Sequence, residues 1–263
     1  MKILLLTVFF TATILNISFG GTTPKKPPLT IWIVYDNNPY DPNLQTEWGF
    51  SCLIRGKEKT ILFDIGGNGK TLLSNMDKMK IKPEDVDLVV LSHIHGDHTG
   101  GLDEFLKKNS RVKVYLPRSF PSGFKKDIKK AGAQCVEVEK PLEICNEVFS
   151  NGEMGSLIKE QSLIIKTEKG LVVITGCAHP GIVEIVKKAK EFLNEDIYLV
   201  MGGFHLLSTS EKGIEKIINE FQKLGVKKAA PCHCSGELCQ QIFEDKYKKD
   251  YLKLGVGAEL EVK

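Results

Sequence analysis

The chain has 263 residues, 42% hydrophobic and 26% charged, a globular composition that excludes a disordered or low-complexity protein. Its 36 basic and 33 acidic residues leave a net charge of only +3. The pairs Lys125-Lys126, Lys129-Lys130 and Lys187-Lys188 read as solvated helix faces, so no nucleic-acid footprint is present.

Met1-Lys2 precedes an apolar run from Ile3 to Leu15, and no further charge occurs before Lys25. Ser18-Phe19-Gly20 offers a small-x-small cleavage site. This pattern predicts a signal peptide over residues 1–20 and a secreted or periplasmic chain; an uncleaved membrane anchor over residues 3–19 is the alternative. Pro24, Pro27 and Pro28 mark residues 21–28 as a linker, leaving 29–263 as a single domain.

In that domain the first half opens with a strand at Leu29–Tyr35 and a polar loop from Asp36 to Glu47. A hairpin follows at Gly49–Ile54 and Thr60–Asp64. Leu72, Leu73, Met76 and Met79 have helical spacing, with Pro83 beyond them. The apolar run Leu88–Leu91 predicts a buried strand running to Ser92, then a helix near Leu102–Lys107, a strand at Val112–Leu116, a helix at Phe124–Ala131 and a strand at Gln134–Val138. Residues 139–155 read as irregular.

The second half begins with a hairpin at Ser162–Thr167 and Leu171–Thr175, then alternates helix and strand. Ile182, Ile185, Val186 and Ala189 stripe one helix; Ile214, Ile217, Ile218 and Phe221 stripe the next, with Gly225 as its stop. Ser235 is placed to cap a third helix at Gly236–Lys246, and Tyr251–Val262 reads as a final strand. An α/β fold satisfies every amphipathic face: a four-layer αββα sandwich of two mixed sheets with helices outside both.

The chemistry concentrates in Ser92-His93-Ile94-His95-Gly96-Asp97-His98-Thr99-Gly100-Gly101, at the end of a strand. His93 and His95, two apart, project together on extended backbone, while Asp97 and His98 follow a Gly turn and can face a second position. Imidazole with carboxylate suits zinc or another borderline first-row ion. The remaining three of the six histidines, His179, His205 and His233, each follow an apolar run, so all six are expected to converge on one or two cations. Seven cysteines show no small-scaffold disulfide pattern. In Cys232-His233-Cys234, alternation along a strand would turn both cysteines away from a metal-facing His233. Gly66-Gly67-Asn68-Gly69-Lys70-Thr71 lacks the spacing of a phosphate-binding loop, and no Gly-x-Ser-x-Gly elbow occurs.

The His-x-His-x-Asp-His loop followed by Thr-Gly-Gly resembles the signature of the metallo-β-lactamase superfamily. Asp64, in Leu62-Phe63-Asp64-Ile65-Gly66-Gly67, resembles that superfamily's earlier strand-end aspartate, which supports the metal loop. Glu47-Trp48-Gly49-Phe50-Ser51, Thr175-Gly176-Cys177-Ala178-His179-Pro180-Gly181 and Gly202-Gly203-Phe204-His205-Leu206 resemble the dihydropterin-ribofuranosylaminobenzene-phosphate synthase-like branch, whose members commonly carry His where Trp48 and Leu116 stand. The superfamily usually adds a further His and an acid bridging two metals. Here no histidine lies between His98 and His179, and no aspartate between Asp127 and Asp196. Cys177 stands near the bridging place: either it or His179 substitutes, with His179 preferred as the ligand and Cys177 otherwise a buried core thiol.

The resemblance implies a zinc-dependent hydrolase, with one or two ions and manganese or iron as alternatives, acting through a metal-activated water on a small ester or phosphoester. His93, His95 and a distant histidine would hold one ion; Asp97, His98 and His233 the other, with Asp97 also orienting the water. His205 would protonate the leaving group or bind an anion, or else support a ligand. A transferase acting on a pterin-like or phosphorylated small molecule and a noncatalytic metal-binding envelope protein are the competing expectations. Iron-based oxygen chemistry is disfavoured because His95 stands where related diiron proteins have Glu. The expected partner is a small molecule, with no nucleic acid and a membrane only if the first segment is retained.

Overall fold

The computed structural model describes residues 28–262; the expected signal peptide or anchor, and all of the linker but Pro28, lie outside them. Among the described residues no helix is long and apolar enough to cross a membrane. The chain runs β1 (Leu29–Asp36), β2 (Phe50–Arg55), β3 (Ile61–Phe63), α1 (Gly69–Lys78), β4 (Leu88–Val90), α2 (Gly96–Thr99), α3 (Leu102–Lys108), β5 (Lys113–Pro117), α4 (Ser122–Lys130) and β6 (Gln134–Val138). It continues through β7 (Leu142–Cys145), β8 (Val148–Ser150), β9 (Leu163–Thr167), β10 (Gly170–Thr175), α5 (Ile182–Leu193), β11 (Ile197–Gly203), α6 (Glu211–Leu224), β12 (Lys228–Cys232), α7 (Glu237–Tyr247) and β13 (Glu259–Val262).

Strand alternation separates these residues into three apolar layers. Ile31, Ile33, Phe50, Cys52 and Val90 of one sheet meet Leu163, Ile165, Val172, Ile174 and Met201 of the other in a core between the sheets. Their neighbours point the opposite way. Leu53 and Val89 pack with Leu72, Met76, Phe105 and Ile128 of the first helix layer, while Ile164, Val173 and Val200 pack with Ile185, Ile218 and Phe243 of the second. Because successive side chains face opposite sides, a slip of one residue would exchange the two layers. The helices supply stripes at the expected spacing and stop where the backbone allows. Ser210 caps α6 through its hydroxyl on the Gly213 N–H, and Gly225 closes it at φ 78°.

Both sheets are mixed. The first has the order β13-β1-β2-β3-β4-β5-β6, antiparallel as far as β3 and parallel from there. The second has the order β12-β11-β10-β9-β8-β7, with β10, β11 and β12 parallel. The carboxyl ends of parallel strands are where an α/β sheet opens to ligands. Here β4, β10, β11 and β12 lead into the histidine- and cysteine-bearing segments, and β3 leads into Asp64.

Three expectations are corrected. The stretch 139–155 holds the hairpin β7–β8, whose turn is made by Glu147 at φ 63° rather than by a glycine. Only Glu259–Val262 of the expected last strand pairs with β1; Gly257, at φ 96°, breaks the extension before it. Ser235 does not cap α7. Its hydroxyl donates to the Cys232 carbonyl and accepts the Phe204 N–H, and the helix starts only after Gly236.

Ile218 is fully buried between α6 and the second sheet, far from the donors in chain position. Ile218→Ala is expected to cost about 2–5 kcal/mol, lowering the denaturant midpoint without a change of slope, and to leave metal content unaltered.

Candidate metal centre

Asp64, at the end of β3, takes a left-handed φ of 54° and is wholly buried. Its Oδ1 accepts the Ser92 N–H at 2.6 Å, and its Oδ2 accepts the Ser92 hydroxyl and faces His98 Nδ1, each at 2.7 Å. This one carboxylate fixes where β4 ends and which nitrogen of His98 is free. The free Nε2 lies 3.2 Å from His233 Nε2, 3.2 Å from Cys177 Sγ and 3.5 Å from Asp97 Oδ2. Gly176 permits the second sheet to come this close: a Cβ there would collide with the Ser92 hydroxyl and press on Asp64.

The extended approach expected for His93 and His95 is present, with His93 Nε2 and His95 Nδ1 3.1 Å apart. The Ser92 hydroxyl holds His93 Nδ1 at 2.9 Å. From the second sheet His179 closes on both rings, at centroid separations of 4.6 and 4.8 Å. It is held by Glu160, a wholly buried residue whose Oε2 faces His179 Nδ1 at 2.9 Å and accepts its backbone N–H at 2.8 Å. Glu160 Oε1 takes the N–H groups of Cys177 and Ala178, at 2.9 and 2.8 Å. His233, at φ 49°, is oriented through Nδ1 by Asn37 Oδ1 at 2.8 Å and covered by the Trp48 ring at 4.9 Å.

Two donor groups result. His93, His95 and His179 form one; Asp97, His98, Cys177 and His233 form the other, and within each group the ligand atoms lie within 4.8 Å of one another. His93, His95, Asp97, His98, His179 and His233, the six expected ligands, each lie in one of them; His205, the sixth histidine expected to converge, does not. Cys177 and His179, weighed as substitutes for each other, belong to different groups. His205 lies beside them, its ring 4.6 Å from His179, and shares a third cluster with Cys177 and Cys234. That corrects the expectation for Cys234. The chain is not extended at His233–Ser235 but forms a tight turn, so Cys234 swings back to the centre while Cys232 stays in the core between the sheets. Glu160 and Asn37 were not visible from local sequence, because neither carries a motif; Asn37 reaches His233 across the gap between sheets, and Glu160 binds a turn that lies beyond a whole hairpin of its own sheet.

The donors suit a cation electrostatically. Burial and the neighbouring His98 push His93 down to about 2, so its ring is neutral and able to ligate. Burial works against a charge on His98, but Asp64 and Asp97 hold it up to about 10, which marks a place built for positive charge. Burial also opposes ionisation of Asp97, yet His233 and His98 keep it well below the ordinary carboxylate range. Glu160 is likewise held down to about 2 against its burial, by His179 and His93 and by backbone N–H groups. The contact between the two thiols lowers the pKa of Cys234 and raises that of Cys177, so Cys234 is the one that ionises more readily. Imidazoles, a carboxylate and a thiolate fit zinc or a related first-row ion.

An αββα sandwich with a paired His/Asp/Cys centre at its strand ends defines the class, a metal-dependent hydrolase fold. Residues 49–144 match the profile of the metallo-beta-lactamase superfamily. The chain is 31% identical over 267 residues to 7,8-dihydropterin-6-methyl-4-(beta-D-ribofuranosyl)-aminobenzene-5'-phosphate synthase of Methanocaldococcus jannaschii, covering 83% of this chain and 91% of that one. Among solved structures it is similar to Tm1679, described as a metal-dependent hydrolase of the beta-lactamase superfamily, with a TM-score of 0.70, 30% identity, and coverage of 89% and 99%. The metallo-beta-lactamase fold protein YhfI of Bacillus subtilis shares the fold at a TM-score of 0.67 and 16% identity, with coverage of 89% and 99%. The chain belongs to the metallo-β-lactamase superfamily.

Glu160 touches no substrate in this arrangement; it positions His179. Glu160→Gln would set an amide N–H among the donors Glu160 now accepts. It is expected to weaken metal retention about 10–100-fold, read by competition with a chromogenic chelator, with secondary structure unchanged.

Proposed function

We propose that the protein is a hydrolase of small esters or phosphoesters that works with two divalent cations, zinc in the first instance. The observation that carries this is the pair of donor groups side by side at the open ends of the parallel strands. His93, His95 and His179 would hold one cation, and Asp97, His98 and His233 the other, with Cys177 in place of the missing bridging acid. Cations in such sites act as Lewis acids and lower the pKa of water to about 7.

The chain's own residues set up the rest. Asp64, Glu160 and Asn37 each face the Nδ1 of one ring, His98, His179 and His233 respectively. Each ring then presents Nε2 to the centre, and its tautomer is fixed. Asp97, held as an anion, accepts a hydrogen bond from the attacking water and orients it. Trp48 is 49% exposed although its ring lies against His233, which leaves an aromatic face toward an incoming substrate.

A second reading, a transferase acting on a pterin-like or phosphorylated small molecule, is supported by the synthase relative, which this chain matches over 91% of its length. The two readings part in a simple assay. The hydrolase reading expects ester or phosphodiester cleavage that disappears when the protein is stripped of metal and returns with zinc. Cleavage indifferent to stringent chelation would overturn it, and product only when a second substrate is added would favour the transferase.

Trp48→Ala is expected to raise KM roughly 2–10-fold with kcat little changed, since an aromatic contact is worth about 0.5–1.5 kcal/mol. Initial-rate kinetics on the best ester found will check it.

A further inference from the structure

The paired groups leave one part of the cluster unused. Cys234 Sγ, His205 and Cys177 Sγ bring their ligand atoms within 4.8 Å of one another, and nothing in the hydrolytic reading requires Cys234. The geometry points to a further cation site, of soft thiolate and imidazole character, formed by Cys177, Cys234 and His205 and joined to the paired centre through the Cys177 sulfur.

Several local features build this site. The chain turns left-handed at His205, φ 56°, one residue beyond the Gly202-Gly203 end of β11, and again at His233, φ 49°, directly before Cys234. Non-glycine residues take that conformation at a cost, and here the two turns bring His205 and Cys234 together from neighbouring parallel strands. Gly203 makes the room: a Cβ there would stand 2.7 Å from Cys234 Sγ. The turn is braced by the N–H groups of Leu206 and Leu207, both on the Cys234 carbonyl at 3.2 Å. Both cysteines are buried and His205 is exposed, so the site has two fixed sulfurs inside and one nitrogen at the open side.

The donor types decide the ligand class. Two thiolates and an imidazole, with one side open, match a tetrahedral zinc site or a monovalent copper site rather than a calcium or magnesium site. A sulfur with several lone pairs can serve two cations, so Cys177 can belong to this site while facing His98 at 3.2 Å. The assignment makes His205 a ligand and replaces the proton-donating duty expected for it from the sequence. It goes beyond the proposed hydrolysis, but it shares Cys177 with the centre that reading uses.

The test is a cobalt titration of the full chain, stripped of metal and kept reduced with a phosphine, following both bound equivalents and the sulfur-to-cobalt charge-transfer band. Cys234→Ser and His205→Ala are compared with the unsubstituted protein; His205 is exposed, so its variant guards against a folding failure at the buried cysteine. The inference expects each variant to bind one equivalent fewer and Cys234→Ser to lose roughly half of the band, with the paired groups filled as before. Equal equivalents and equal bands in all three proteins would overturn it, as would a Cys177–Cys234 disulfide persisting under reduction in the mass spectrum. Uptake of no cobalt at all by the unsubstituted protein would overturn the paired centre as well, whereas two equivalents in every protein would remove only the outer site.

Discussion

The hydrogen bonds of the Asp64 carboxylate are the constraint on which the centre depends. They tie together the end of β3, the end of β4 and the ring of His98. Burial pushes the pKa of this carboxylate up, and His98 and the Ser92 hydrogen bonds offset that push only in part. A charge kept there without water is tolerable only while its hydrogen bonds and its charged partner stay in place. Hence the loop carrying His93, His95 and Asp97 is positioned by electrostatics inside the protein, and the apolar layers serve to exclude water from it.

The second sheet answers with an anion of its own. Glu160 gathers three successive backbone N–H groups and one imidazole nitrogen from residues 177–179. Ala178 takes a φ of 62° within that turn. The segment carrying Glu160 also reaches the first sheet directly, since the Gln161 N–H donates to the Ser92 carbonyl at 2.9 Å and its side-chain amide to the Leu91 carbonyl at 2.9 Å. Two buried acids, one per sheet, therefore aim rings from opposite sides at one place. Separating the sheets would leave each anion on its own partners but part the rings that the two acids aim at one another.

Much of this was legible in the sequence, and the reason is physical. Apolar runs that end in histidines mark buried parallel strands and their open ends together, so Leu88–Leu91, Leu171–Thr175 and Ile197–Gly203 gave both the sheets and the ligands. Helix stripes with a clear stop, such as Ile214 to Gly225, were equally plain. What escaped depended on contacts between residues distant along the chain or on conformations that the residue type does not announce. Glu160 is one of 33 acidic residues and is distinguished only by what folds over it. Strand alternation extended through His233 puts Cys234 on the wrong side, because the backbone turns left-handed there. The β7–β8 hairpin was hidden for the same reason, with Glu147 at the position where a glycine would have signalled a turn.

Asp64, Ala178, His205 and His233 all hold left-handed backbone within or beside the donor segments. Each such residue costs on the order of 1 kcal/mol or more, which the folded structure has to offset elsewhere. A cation bound here would thus be part of the folding equilibrium: a site filled at a hundred times its dissociation constant adds about 2.7 kcal/mol to the native state. A protein assembled this way ties its own lifetime to mineral supply. Were the ion that fills these sites scarce, the chain would be more prone to unfolding and to proteolysis, and its abundance would follow the supply of that ion.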